Sequence, residues 1–170
     1  MPTDEAFEIL VRTTEKGLTV HQQHVRARIE KAYRLSKPDN IQRLFAERLH
    51  DIDDLLFNGD LGGKVPLVWK DLGPTLWGRA GGDRPLEAAR MGTITVELSE
   101  SLSPLLATRP DLVWGTLIHE LLHVYALVMS PEHEMCLCGH RVAHGPGFAA
   151  AATAAVRVLE RLRSWSRRVW

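Results

Sequence analysis

Apolar positions in the first third of the chain recur at three- and four-residue intervals, the spacing that gathers side chains on one face of a helix. Val25, Ile29, Ala32 and Tyr33 form one such set, and helical breaks fall near Gly17 and at "SKPDN" (36–40). A longer stripe, Ile41, Leu44, Phe45, Leu49, Ile52, Leu55 and Leu56, predicts a single helix with Pro38 in its first turn and "NGD" (58–60) at its end. From Gly59 the pattern shortens into glycines and β-rich runs. "VPLVWK" (65–70) and residues 76–80 predict short strands. In "TITVELS" (93–99), Ile94, Val96 and Leu98 alternate with Thr93, Thr95 and Glu97, which predicts a half-buried strand. Asp111 then predicts the cap of a helix running to about Met129, where "SP" stops it. After a polar loop, "GPGFAAAATAAVRVLERL" (145–162) predicts a last helix with Phe148, Ala152, Ala155, Val156, Leu159 and Leu162 on one face. Helices, a small three-stranded sheet and two further helices make an α+β domain, and no internal repeat divides residues 1–170.

Composition narrows the partners. Lys and Arg number 21 and Asp and Glu 21, so no global field draws the chain to nucleic acid or anionic lipid. The start, "MPTDEAFEIL", lacks the basic and apolar runs of a leader, and no apolar stretch in the chain reaches the roughly 18 residues of a membrane span. The expectation is an intracellular protein with no membrane partner. Cys136 and Cys138 lie one residue apart, too close for a useful disulfide, which suits a reducing compartment.

Chemistry concentrates between Ile118 and Phe148, a segment holding five of the eight histidines and both cysteines. "HELLH" supplies His119, Glu120 and His123. On a helix, positions i and i+4 stand one above the other about 6 Å apart, so two imidazoles can grip one zinc ion. Glu120 lies beside them, placed to take a proton from a water whose pKa zinc lowers toward about 7. The motif sits among Leu117, Ile118, Leu121, Leu122, Val124 and Tyr125, where imidazole and carboxylate groups are costly without partners. A third ligand is needed. Ala126 and Met129 stand where a metzincin would have Gly and its third His, which excludes that pattern. On chemistry alone Glu132, His133, Glu134, Cys136, Cys138, His140 and His144 all remain candidates.

"HELLH" followed by "AHGPGF" (143–148) resembles the SprT-like (SprT/Spartan) zinc metallopeptidases. The resemblance implies a zincin-like fold and His144 as the third zinc ligand, with Gly145, Pro146 and Phe148 matching the rest of the motif. "LFNGDLGGKVPLVW", "LWGRA" and "ITVELSESL" are similar to the family's helix end and first strand, its Ala-Gly-Arg strand, and the strand before the active-site helix. The likeness spans about residues 44–162, with residues 1–40 as an N-terminal helical extension to a catalytic core over 41–165. Two departures stand out: the loop between His123 and His144 is longer than the family's, and no zinc ribbon or Cys-rich module follows.

Other features carry competing readings. His133, Cys136, Cys138 and His140 could hold a second zinc, but Cys-x-Cys is not the usual knuckle, and an ordinary polar loop is the preferred reading. Arg157, Arg161, Arg163, Arg167 and Arg168, with Trp165 and Trp170 interleaved, could track DNA; a solvated helix end is preferred. "TITVELS" could pair with an extended substrate backbone if it borders the cleft, or be an interior strand. His21, His24 and His50 read as surface residues without partners, Trp69, Trp77 and Trp114 as core or cleft wall, and Tyr125 as core.

Together these predict a zinc endopeptidase: His119, His123 and His144 on Zn²⁺, Glu120 as general base, and a protein or peptide as substrate. The resemblance further implies cleavage of proteins crosslinked to DNA, hence a nuclear or nucleoid setting. The alternatives are a general or self-processing intracellular peptidase, and a zinc-stabilised interaction module whose loop blocks catalysis.

Overall fold

The computed structural model describes residues 3–35, 41–62, 65–81, 94–129 and 144–166 of the chain. Helices α1 (Thr3–Glu15) and α2 (Val20–Leu35) form where the first apolar intervals place them. They part at Gly17, whose φ of +87° favours glycine. The long stripe that follows is two helices, not one: α3 (Ile41–Glu47) and α4 (Leu49–Phe57) meet at Arg48, where φ is −102° and ψ 6°. The break is slight, because Arg48 N–H still donates to Leu44 O at 3.0 Å and Arg48 O still accepts from Ile52. Asn58, at φ +55°, ends α4 in the left-handed conformation. Pro38 lies outside the described residues.

Three short strands make one sheet: β1 (Leu67–Lys70), β2 (Gly78–Ala80) and β3 (Val96–Ser99), in the order β1-β3-β2. β3 pairs parallel with β1 and antiparallel with β2. The alternation expected of this segment is present, with Ile94, Val96 and Leu98 buried and Thr95 and Glu97 half-buried. Both edges of β3 are occupied, so it is interior and cannot take up a substrate strand. Among the described residues the sheet ends with β1 on one side and β2 on the other. Ser99 N–H donates to Trp77 O at 2.8 Å and Gly81 N–H to Thr95 O at 2.9 Å. By antiparallel alternation, the peptide groups of Gly78 and Ala80 therefore point away from β3.

After a 3₁₀ turn (Glu100–Leu102) and the short α5 (Leu105–Thr108), neither foreseen in the sequence, α6 runs from Pro110 to Met129. It begins one residue before the expected cap: Pro110 occupies the first turn, for which its fixed φ suits it, and Asp111 lies within that turn. Within α6, 111–129 is the one stretch among the described residues long and apolar enough to cross a membrane by length and composition. Mean hydropathy over a window reveals this where a search for an uninterrupted apolar run does not, because the HExxH residues interrupt the run. More than half of this stretch is buried inside the fold, against α1, α5, α7, β2 and β3.

The last helix, α7 (Pro146–Ser166), packs along α1. Of the expected face Phe148 and Ala155 are buried, joined by Ala151, Ala154 and Val158, whereas Ala152 is half-buried and Val156 exposed; the side chains of Leu159 and Leu162 lie outside the described residues. Both sets obey helical spacing, and a run of alanines offers no contrast in size to choose between them. A single apolar cluster joins Ala6, Phe7 and Leu10 of α1 to Val25 of α2, Phe45 of α3, Val96 of β3, Leu121 of α6 and Phe148 of α7.

Candidate metal centre

Two of the three imidazoles are placed by α6 alone. His119 and His123 stand one turn apart on its half-buried face, while Leu117, Ile118, Leu121, Leu122 and Val124 fix the helix from its buried sides. Their Nε2 atoms are 3.2 Å apart. The third imidazole comes from the turn before α7. His144 is exposed, and its Nε2 lies 3.2 Å from that of His119 and 3.3 Å from that of His123. Pro146 starts α7 immediately afterwards, and Ala149 N–H closes the first turn on Gly145 O at 3.1 Å.

Phe148 sits against all three imidazoles. Its ring centroid lies 5.1 Å from His119, 4.9 Å from His123 and 5.0 Å from His144. On its other side it meets Phe7 of α1 edge-on at 5.7 Å, and Phe7 in turn packs near Tyr125. The N-terminal helix thus backs the start of α7, and through it the position of His144.

Ligands of a tetrahedral zinc at 2.0–2.1 Å are separated by about 3.3–3.4 Å. The three Nε2 atoms match that triangle to within about 0.2 Å, and imidazole is a donor that suits zinc. Their electrostatics agree. Burial, then the proximity of His119 and His144, pushes the His123 imidazole down to about 4, and burial followed by His144 lowers His119. Both rings are therefore neutral at pH 7, the form that offers a lone pair to a metal. Among the described residues, His119, His123 and His144 are the group whose ligand atoms converge well enough to hold an ion.

Glu120 is 7% exposed. Burial lifts its carboxyl from 4.5 to about 7, and a hydrogen bond donated by Ala80 N–H, on the outer side of β2, partly offsets the rise. A buried carboxyl beside three convergent imidazoles and titrating near neutrality can accept and return a proton at physiological pH.

The structure thus brings together the three imidazoles expected at the site, His119, His123 and His144, while Glu120, next to His119 in the chain, is buried against β2 with its carboxylate on Ala80 N–H. Glu132, His133, Glu134, Cys136, Cys138 and His140 lie outside the described residues, and with them the second-zinc reading. So do Arg167, Arg168 and Trp170, and the side chains of Arg161, Arg163 and Trp165; Arg157 is exposed. His21 and His50 are exposed but not partnerless, because both flank Asp54, with Nε2 3.3 Å and 3.9 Å from its Oδ2. The latter pair is i,i+4 within α4, a spacing that could have been read from the sequence. Trp69 and Trp114 are half-buried on either side of Phe45, whereas Trp77 is 49% exposed. Tyr125 belongs to the core, its hydroxyl donating to Ala6 O at 3.4 Å.

Two contributors escaped the sequence reading: the Ala80 N–H that holds Glu120, and Gly78 beside it. Their only sequence signal was the likeness of "LWGRA" to a strand of the SprT-like pattern. No family model, curated protein or solved structure matches this chain.

Proposed function

We propose that the protein is a zinc-dependent endopeptidase of the SprT-like kind. The observation that carries this reading is the triangle of Nε2 atoms, 3.2 to 3.3 Å on each side, contiguous in sequence with a buried carboxylate. The likeness of "HELLH" and "HGPGF" to that family supports it, because the histidines those motifs nominate are the ones that converge.

His119, His123 and His144 would hold Zn²⁺, which when bound supplies Lewis-acid polarisation of a scissile carbonyl and acidifies water toward a pKa of about 7. The protein's own part rests with Glu120. Poised to titrate near pH 7, it takes a proton from the attacking water and passes it to the leaving amine. Substrate backbone would dock along the outer side of β2, where the peptide groups of Gly78 and Ala80 point away from β3 and the Ala80 N–H touches Glu120. Pairing there reads backbone and not side chains, which suits protein substrates of unrelated sequence.

Glu120→Gln tests this reading. Zinc stoichiometry should remain one per chain while hydrolysis of an unstructured polypeptide falls by about 10²–10⁴-fold; retained proteolysis in that variant would refute the assignment. The finer reading, cleavage of proteins crosslinked to DNA, rests on the resemblance. It requires faster hydrolysis of a DNA-crosslinked protein than of the same protein free, and equal rates would leave a general peptidase.

A further inference from the structure

Gly78 lies where β2 crosses α6, and it has no room for a side chain. A Cβ at this position would stand 2.8 Å from Glu120 Cγ, 2.9 Å from Glu120 Oε1 and 2.9 Å from Thr116 Cγ2. Real Cβ atoms essentially never come that close to their neighbours, so either β2 must draw back from α6 or the Thr116 methyl and the Glu120 side chain must both give way. Glycine here does not serve a turn, because the residue belongs to a regular strand paired with Leu98. What it provides is close approach of backbone to a side chain.

Which group would yield is decided by how each is held. Thr116 donates its hydroxyl to Leu112 O at 2.9 Å, and that bond fixes the rotamer that aims its methyl at β2. β2 is tied to β3 by its ladder and by Arg79, which donates to Glu97 Oε2 at 2.9 Å through Nε and 2.6 Å through Nη2. Glu120 has the longest and most flexible side chain of the three, met at Cγ and Oε1 and held at its carboxylate by the Ala80 N–H, so it yields furthest.

We propose that Gly78 and Thr116 form a slot that positions the Glu120 carboxylate, Gly78 through the absence of a side chain and Thr116 through its methyl. Gly78 is thus a positioning residue acting through Glu120, and a single methyl added there displaces the base while leaving the three imidazoles in place. This rests on the peptidase reading for its effect on rate, but the displacement itself does not.

The test compares zinc-loaded wild type, Gly78→Ala, Thr116→Ser and the Gly78→Ala/Thr116→Ser pair. Thr116→Ser keeps the hydroxyl bond to Leu112 and deletes the methyl, so the double variant carries one methyl from one side of the slot to the other. In Gly78→Ala, zinc affinity measured by chelator competition should stay within about threefold of wild type. Its crystal structure should show the carboxylate moved off Ala80 N–H. Its kcat on an unstructured polypeptide should fall about 10²-fold, the order expected from a misplacement of about 1 Å, with KM little changed. In the double variant the Thr116 contact is relieved but the Cβ still stands within 3 Å of Glu120 Cγ and Oε1, so the carboxylate should stay displaced and kcat stay low.

An unmoved carboxylate, an unchanged kcat, or a loss that Thr116→Ser fully relieves overturns the proposal. So does a Gly78→Ala protein that fails to fold and is not restored by Thr116→Ser, because Gly78 would then be a packing residue only. Wild type that hydrolyses nothing sinks the peptidase reading instead, and the position of the carboxylate in Gly78→Ala still decides this one.

Discussion

The two halves of the imidazole triangle are built in opposite ways. His119 and His123 hang from the middle of α6, whose flanking residues are fully buried, so the spacing between them is set by the helix and the helix by the core. His144 is exposed on a turn, and its position depends on α7 starting where it does, with Phe148 wedged between the imidazoles and Phe7 of α1. The first half is a local consequence of sequence; the second is a product of tertiary packing. The two should therefore fail differently.

Replacing ligands gives the largest effects and exposes that difference. His119→Ala, His123→Ala and His144→Ala should each lower zinc affinity by more than the roughly 10–100-fold that loss of a partner supporting a ligand costs. Without metal they should separate. His144→Ala removes an exposed ring and should leave unfolding free energy within about 0.5 kcal/mol of wild type. His123→Ala removes a half-buried ring packed 4.9 Å from Phe148 and should cost about 1–3 kcal/mol. Urea titration of chelator-treated proteins measures this; equal losses would mean that the two halves are supported alike.

Phe148→Ala strikes only the tertiary half. The side chain is 5% exposed, and its loss should cost about 3–5 kcal/mol of stability, as for other buried aromatic residues. With the wedge gone, zinc affinity should fall about 10–100-fold although no ligand has been touched. Stability lost with zinc affinity unchanged would show that His144 is held by its turn alone.

The same contrast governs what could be read beforehand. The HELLH pair was legible because a helix converts a sequence interval into a distance, and the alternation at Ile94, Val96 and Leu98 was legible because a strand does likewise. His144 emerged only through a motif resemblance, since nothing local says that a residue 21 positions after His123 returns to it. Gly78 was opaque for a related reason: its need for glycine lies in the crossing of β2 over α6, which no periodicity encodes. β3 has the pattern of a half-buried strand at an edge or in the interior alike, so its central place depends on pairings made elsewhere. The buried face of α7 was misjudged where alanines are interchangeable in size, and the α3–α4 stripe read as continuous because a break at Arg48 leaves the apolar spacing intact.

The smallest expected effect is a pH dependence, and it separates the base from the ligands within α6 itself. In the metal-free protein, His123 titrates near 4 when folded and near its ordinary 6.5 when unfolded. The unfolded chain therefore binds the extra proton between those values, and stability is present above about pH 6.5 and lost as pH falls toward 4. His119, lowered by burial and by His144, acts in the same direction. Glu120 has the opposite sign. Its carboxyl titrates near 7 folded and 4.5 unfolded, so its contribution is present below 4.5 and lost as pH rises through 7. The two windows overlap between about pH 4.5 and 6.5, so in chelator-treated wild type the Glu120 slope offsets that of His123 there and weakens the acid limb. Glu120→Gln should therefore steepen the rise in stability between about pH 4.5 and 6.5, by at most about 1.4 kcal/mol per pH unit for the single proton. Urea midpoints from about pH 4.5 to 8.5 decide the matter, and a rise no steeper in Glu120→Gln than in wild type would place the titrating group elsewhere than on the residue read as the general base.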